Sequence, residues 1–220
     1  MHYLDRKQSF DALRNMRTFH DECNELFLKH GFDFVHNLGR RNIVMSQAQE
    51  KFFAQVLATK YSGVSADGRT GEPDITIREL SKELECKLTT RGASGSIDFN
   101  TDYKTLAKKG SIDYLYVIAD PEFAEFAVLF FEGLTIDDFR VPSNGSRGKA
   151  QMYKHKGMKK CRVLVGKAIN NREKYLQSIR KSLADPATSS GKRRALQKRW
   201  NHWKKTPASY SYTLEKIDAN

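Results

Sequence analysis

The sequence predicts a mixed α/β fold, with a central β-sheet flanked by helices and a basic helical extension at its C-terminal end. Three observations carry that prediction. Apolar residues recur at helical spacing early in the chain, then alternate with polar ones around residues 74–88. Two apolar runs, 112–119 and 126–131, are short and rich in β-branched and aromatic residues, as buried strands are. The last part returns to helical spacing with almost no acidic residue. A chain of 220 residues can bury one good core, placed over residues 1–170. Residues 171–220 form the basic extension, either an appendage or an integral part of the core.

The first element covers residues 9–30, where Phe10, Leu13, Met16, Cys23, Leu26 and Phe27 make one stripe and Gly31 is a stop signal. Residues 32–35 read as a short strand or a loop. Ser46 with Gln49 three residues on is a capping-box start, and the helix that follows to Lys60 turns Phe52, Phe53, Val56 and Leu57 inward. Glu50 lies on the flank of that stripe. It is either favourably placed in the first turn, near the helix dipole, or a third carboxylate aimed at the hairpin described next.

A polar loop over 63–71 leads into that hairpin. With Glu79 and Leu80 at the tip, Asp74 falls opposite Glu85. Directly opposed side chains are about 4.5–5.5 Å apart at Cβ, where bare like charges repel unless a cation lies between them. Glu83, Glu85, Lys87 and Thr89 share one face; Leu84, Cys86 and Leu88, with Ile75 and Ile77, share the core face. Pro73 opens its strand, where proline is tolerated. The glycine-rich loop 90–96 offers backbone amides to a phosphate but matches no P-loop pattern. Residues 98–104 read as a helix start or as a base or phosphate contact.

The strands at 112–119 and 126–131 come next, the second apolar enough to be covered on both faces. Residues 135–139 read as a short helix or turn, 143–160 as a long basic loop, and 161–165 as the strand that closes the sheet. Helices over 171–183 and 190–204 flank a breaker at Asp185-Pro186. In the last helix Leu196, Trp200 and Trp203 share a face that packs on the core, leaving its lysines and arginines opposite.

Net charge is +12, and residues 143–205 hold more than all of it: nineteen lysines and arginines against Glu173 and Asp185. Such a run, read as having no acidic partners to pair with, calls for a polyanion, nucleic acid first and an anionic membrane surface as the alternative. No apolar run approaches the roughly 18–20 residues that cross a membrane, and the chain opens on polar residues rather than a signal peptide. Cys23, Cys86 and Cys161 are scattered without a paired spacing, which points to a reducing, cytoplasmic setting and away from a zinc site. No His-Glu-x-x-His, no His-Asn-His metal finger and no Gly-x-Ser-x-Gly elbow occurs; His36 and His155 remain as isolated candidate bases.

Pro73-Asp74, a spacer, then Glu85-x-Lys87 resembles the active-site motif of the PD-(D/E)XK nuclease superfamily, which includes type II restriction endonucleases. The resemblance implies a restriction-endonuclease-like core and magnesium-dependent hydrolysis of phosphodiester bonds in double-stranded DNA. Asp74 and Glu85 are then the metal ligands, and Lys87 orients the attacking water or stabilises the charged phosphorane. An acidic residue on the helix before the hairpin is a frequent companion, which supports Glu50 as a third catalytic and metal-binding carboxylate. Enzymes of this kind often act as homodimers on symmetric sites. On this reading Arg147, Lys149, Lys154 and Lys156 track the DNA backbone, while Arg91, Asn100 and Lys104, just beyond the catalytic strand, are candidates for base contacts. The rivals are a structure-specific nuclease, such as a junction resolvase or phage repair enzyme, and a non-catalytic nucleic-acid-binding protein.

Overall fold

Asp5 starts the first helix. Its carboxylate accepts from the Gln8 amide at 2.9 Å, and the Gln8 side chain answers at the Asp5 amide, so helix α1 spans Arg6–Lys29. The computed structural model describes residues 2–66, 72–91, 97–142 and 148–219. Helix α2 spans Leu38–Ala58, with the Asn37 side chain capping Arg40. It therefore begins eight residues before Ser46, whose hydroxyl instead donates to the Ile43 carbonyl inside the helix. The early turns were hidden because an inward position there, Arg41, is charged, while the polar Gln49 further on read as part of a capping box. Arg41 and Gln49 are fully buried beside Met45, Ala48 and Phe53. The Arg41 guanidinium donates to the Val35 and Pro121 carbonyls and, at 2.8 Å, to the Thr90 hydroxyl, tying α2 to the segment that ends at Thr90. Residues 32–35 form no strand; Phe34 is simply buried between the helices.

The remaining elements follow in chain order: β1 (Val64–Ser65), β2 (Ile75–Ile77), β3 (Lys82–Thr90), β4 (Asn100–Asp102), α3 (Tyr103–Lys109), β5 (Ser111–Ala119) and β6 (Glu125–Thr135). Then come β7 (Lys149–Gln151), α4 (Lys154–Gly157), β8 (Cys161–Val165), β9 (Lys167–Asn170), α5 (Asn171–Ala184), α6 (Ser190–Lys205), β10 (Tyr210–Thr213) and β11 (Glu215–Lys216). The central seven-stranded sheet runs β1-β2-β3-β5-β6-β11, with β8 also paired to β6. β3 and β5 are parallel and the other pairs antiparallel, so the sheet is mixed. The parallel pair needs a crossover, supplied by β4 and α3.

Strand alternation builds two cores. Leu115 and Val117 of β5 pack with Leu84, Cys86, Ile75 and Ile77 under α1 and α2. Tyr114, Tyr116 and Ile118 face the other way, against Phe99, Leu106, Phe131, Ala150 and Met152. Coverage on both faces explains why the two long strands read as unbroken apolar runs.

Two expected features differ. The described part of 143–160 is not a loop: β7 pairs with β4, and α4 and a 3₁₀ turn at Met158–Lys160 follow, because Ala150 and Met152 are needed in the second core. Helix α6 packs on α5, and neither Leu196 nor the two tryptophans join the cores of the sheet; Trp203 stacks on Tyr175 of α5 at 4.6 Å, and Trp200 lies under the Lys204 ammonium. After α6 the chain returns: β10 pairs with β9, and β11 adds to β6.

Candidate active site

The β2–β3 hairpin pairs Ile75 with Leu84, Thr76 with Glu83 and Ile77 with Lys82, around a 3₁₀ turn at Arg78–Leu80 and Ser81 in the left-handed region. That is the register expected from a tip at Glu79–Leu80. Asp74 stands one residue before β2, so the same register carries it toward Glu85. Its side chain takes over where the ladder stops: Oδ2 accepts from the Cys86 amide at 2.6 Å.

Lys87 closes the group. Its ammonium lies 3.4 Å from Glu85 Oε2 and 3.7 Å from Asp74 Oδ2, and donates to the Cys86 carbonyl at 3.0 Å. Both carboxylates are largely buried, whereas Lys87 keeps 40% of its side chain exposed. Burial and then the Asp74 charge push the Glu85 carboxyl above its ordinary range, against the pull of Lys87 and Lys109. Glu50 feels the same field. Burial first, then Asp74, raise its carboxyl to about 7; Lys87 lowers it and Glu85 raises it. Glu50 therefore belongs electrostatically with the trio. Its place in the first turn of a helix is not its reason for being there, since α2 begins at Leu38.

Two supporting residues escaped the sequence reading. Gln49, buried in α2, donates to the Leu115 carbonyl at 3.1 Å and to the Lys87 carbonyl at 3.5 Å, so it pins α2 to the strand that carries the site. Lys109, at the end of α3, sits 2.8 Å from Glu83 Oε2 and 3.9 Å from Glu85 Oε1. The local signal for it was the pair Lys108-Lys109 before Gly110, a helix end; its nearness to Glu85 depends on the crossover. Beside it a cleft of about 370 Å³ is lined by Ser81, Lys82, Glu83, Lys109, Ser111 and Asp113.

The donor set is all oxygen and suits a hard divalent cation. Glu85, whose carboxyl is raised by burial and then by the Asp74 charge, gains from one, and magnesium keeps several waters and needs few protein ligands. Among the described residues no group of three or more His, Cys, Asp or Glu is arranged to hold a metal ion. Any ion here would rest on Asp74 and Glu85, with Glu50 contributing charge.

The expected DNA contacts scatter. Arg91 is exposed beyond β3, its guanidinium on the Tyr212 carbonyl at 3.2 Å. Asn100 and Lys104 are exposed on β4 and α3, and the Asn100 carbonyl accepts from the Tyr116 hydroxyl. Lys149 is exposed on β7. Lys154 pairs with Asp98 at 3.5 Å, Lys156 donates to the Asp137 carbonyl at 2.7 Å, and Lys160 pairs with Asp138 at 2.7 Å. The basic run thus does have acidic partners; they come from upstream segments that folding brings alongside. Arg147 and the glycine-rich loop at 92–96 lie outside the described residues. His36 is exposed and pairs with Asp33, and His155 is exposed. Neither is among the groups in contact with Lys87 or Glu85.

No protein-family model, curated protein or solved structure matches the chain. Among the described residues no helix is long and apolar enough to cross a membrane.

Proposed function

We propose that the protein is a magnesium-dependent DNA endonuclease that hydrolyses phosphodiester bonds, most like a type II restriction enzyme cutting a specific double-stranded site as a homodimer. One observation carries the reading. The Lys87 ammonium lies within 3.7 Å of Asp74 and 3.4 Å of Glu85, on a strand held in register by the hairpin. Asp74 and Glu85 would hold the ion, with Glu50 adding a third negative charge. A bound magnesium ion neutralises phosphate charge and makes a coordinated water more acidic. The chain's own share is positional. Asp74 is fixed by the Cys86 amide and Glu85 by its two lysines. Lys87, the most exposed of the three, offers its positive charge to a phosphate oxygen at the edge of the cluster.

Plasmid DNA incubated with magnesium should be cut, and with EDTA should not. Discrete reproducible fragments support site-specific restriction, while cutting confined to branched substrates moves the reading to a junction-resolving or repair nuclease. Glu85→Ala should bring cleavage below detection while binding in calcium survives.

A second reading, a nucleic-acid-binding protein without catalysis, draws on a specific feature. Glu85 already has Lys87 and Lys109 beside it, an arrangement that neutralises it without any metal. Failure of the wild type to nick DNA in magnesium or manganese decides for that reading.

A further inference from the structure

Helix α6 carries seven lysines and arginines in sixteen residues and no aspartate or glutamate. Lys192 and Arg193 stand in its first turn, where the helix dipole disfavours cations. Arg193 has a structural reason to be there: it donates to the Thr188, Leu183 and Asp185 carbonyls and closes the end of α5. Lys204 lies over the Trp200 ring at 5.5 Å, and the other five lack such a reason. Among the described residues no carboxylate lies within ion-pair distance of Lys192, Arg194, Lys198, Arg199 or Lys205, and all five are exposed.

Their arrangement is ordered. Leu196, Trp200 and Trp203 recur at helical spacing on one side of α6, the side from which Trp203 stacks on Tyr175 of α5. At 3.6 residues per turn, Arg194, Lys198, Asn201 and Lys205 fall on the opposite side, in a line about 16 Å long. Because α6 packs mainly on α5, that line faces solvent.

We propose that this outer face of α6 docks on the sugar–phosphate backbone of double-stranded DNA, as a surface separate from the carboxylate–lysine cluster. Charge complementarity argues for a polyanion, and the face itself selects among polyanions. It carries no apolar side chain to enter a lipid interface. The line itself carries no ring on which single-stranded bases would stack: Trp203 is stacked on Tyr175, Trp200 lies under the Lys204 ammonium, and His202 stands to one side of the line, edge-on to Trp203. Point charges without an apolar anchor are the chemistry of backbone contact to a duplex. The choice of DNA rests on the nuclease reading; the cationic line does not.

The test is duplex binding by the full chain in EDTA, followed by fluorescence anisotropy over a range of potassium chloride concentrations. The variant Arg194→Gln/Lys198→Gln/Lys205→Gln should lower the slope of log affinity against log salt by roughly two to three and weaken binding about tenfold or more at physiological salt. Arg194→Lys should keep the wild-type slope. An unchanged slope in the folded triple variant overturns the docking surface, even if the wild type cleaves plasmid. A lowered slope with no cleavage in magnesium or manganese keeps the docking surface and removes the nuclease. Binding to phosphatidylserine vesicles without duplex binding overturns it in favour of a membrane.

Discussion

Glu50 sits three turns into α2, next to buried Gln49, and is exposed to the negative field of Asp74 and Glu85. In the metal-free protein its carboxyl is raised from an ordinary 4.5 to about 7. The protonated form is therefore the one the fold prefers. The stabilisation it brings is complete below the ordinary value and is lost as pH rises through about 7. Glu50→Gln keeps the neutral shape at every pH. Relative to wild type it should gain stability between pH 5 and 8, on the order of 1 kcal/mol once partial solvent screening is discounted. Melting temperatures of the metal-free proteins across that range check this; a difference that does not vary with pH would remove Glu50 from the cluster. The role of Glu50 was only half legible in the sequence. Its spacing from Phe53 and Leu57 placed it on a flank, but the helix start that would have ruled out a first-turn role was masked by the buried Arg41 and by the capping-box pattern of Ser46 and Gln49.

At the scale of elements, the β2–β3 hairpin was legible because everything that sets it is local: alternation, a nine-residue strand and a tip within a few residues. The crossover was not. β4 is three residues long and wholly polar, and its partner β7 lies far along the chain, so neither carries a local signature. Yet this crossover delivers α3, and with it Lys109, to Glu83 and Glu85. If the carboxylates hold magnesium as proposed, Lys109 competes with the ion for the same negative charge. Lys109→Met should therefore lower the melting temperature of the metal-free protein and increase the extra stability that magnesium confers, compared with wild type. Differential scanning fluorimetry in EDTA and across a magnesium titration reads both signs. A variant that magnesium stabilises less than wild type would show that Lys109 supports the site rather than competing with the ion.

For the whole molecule, charge was counted correctly in the sequence but could not be assigned to partners. Asp98 and Asp138 reach Lys154 and Lys160 only after folding, so the unpaired excess moves downstream into α5 and α6. The same two helices are little embedded. β5 and β6 lie inside a seven-stranded sheet with apolar cover on both faces. Helices α5 and α6 bury only Ile179 and Leu196 among their own residues, and neither belongs to the two cores. Local opening free energy follows such burial, from near zero where contacts are few up to the global value in core strands. Amide hydrogen exchange should accordingly be slowest in β5 and β6 and faster by at least about a hundredfold in α6. Glu215 works against complete detachment, since it bonds both the Arg6 guanidinium at 2.6 Å and the Gly166 amide at 3.1 Å, anchoring the returning chain beside β11. Glu215→Gln should then speed exchange in β10 and β11 more than in β5. If α6 exchanges as slowly as the central strands in mass-spectrometric measurements, the helical pair is part of one cooperative unit with the sheet, and its charge is carried on a rigid rather than a locally opening support.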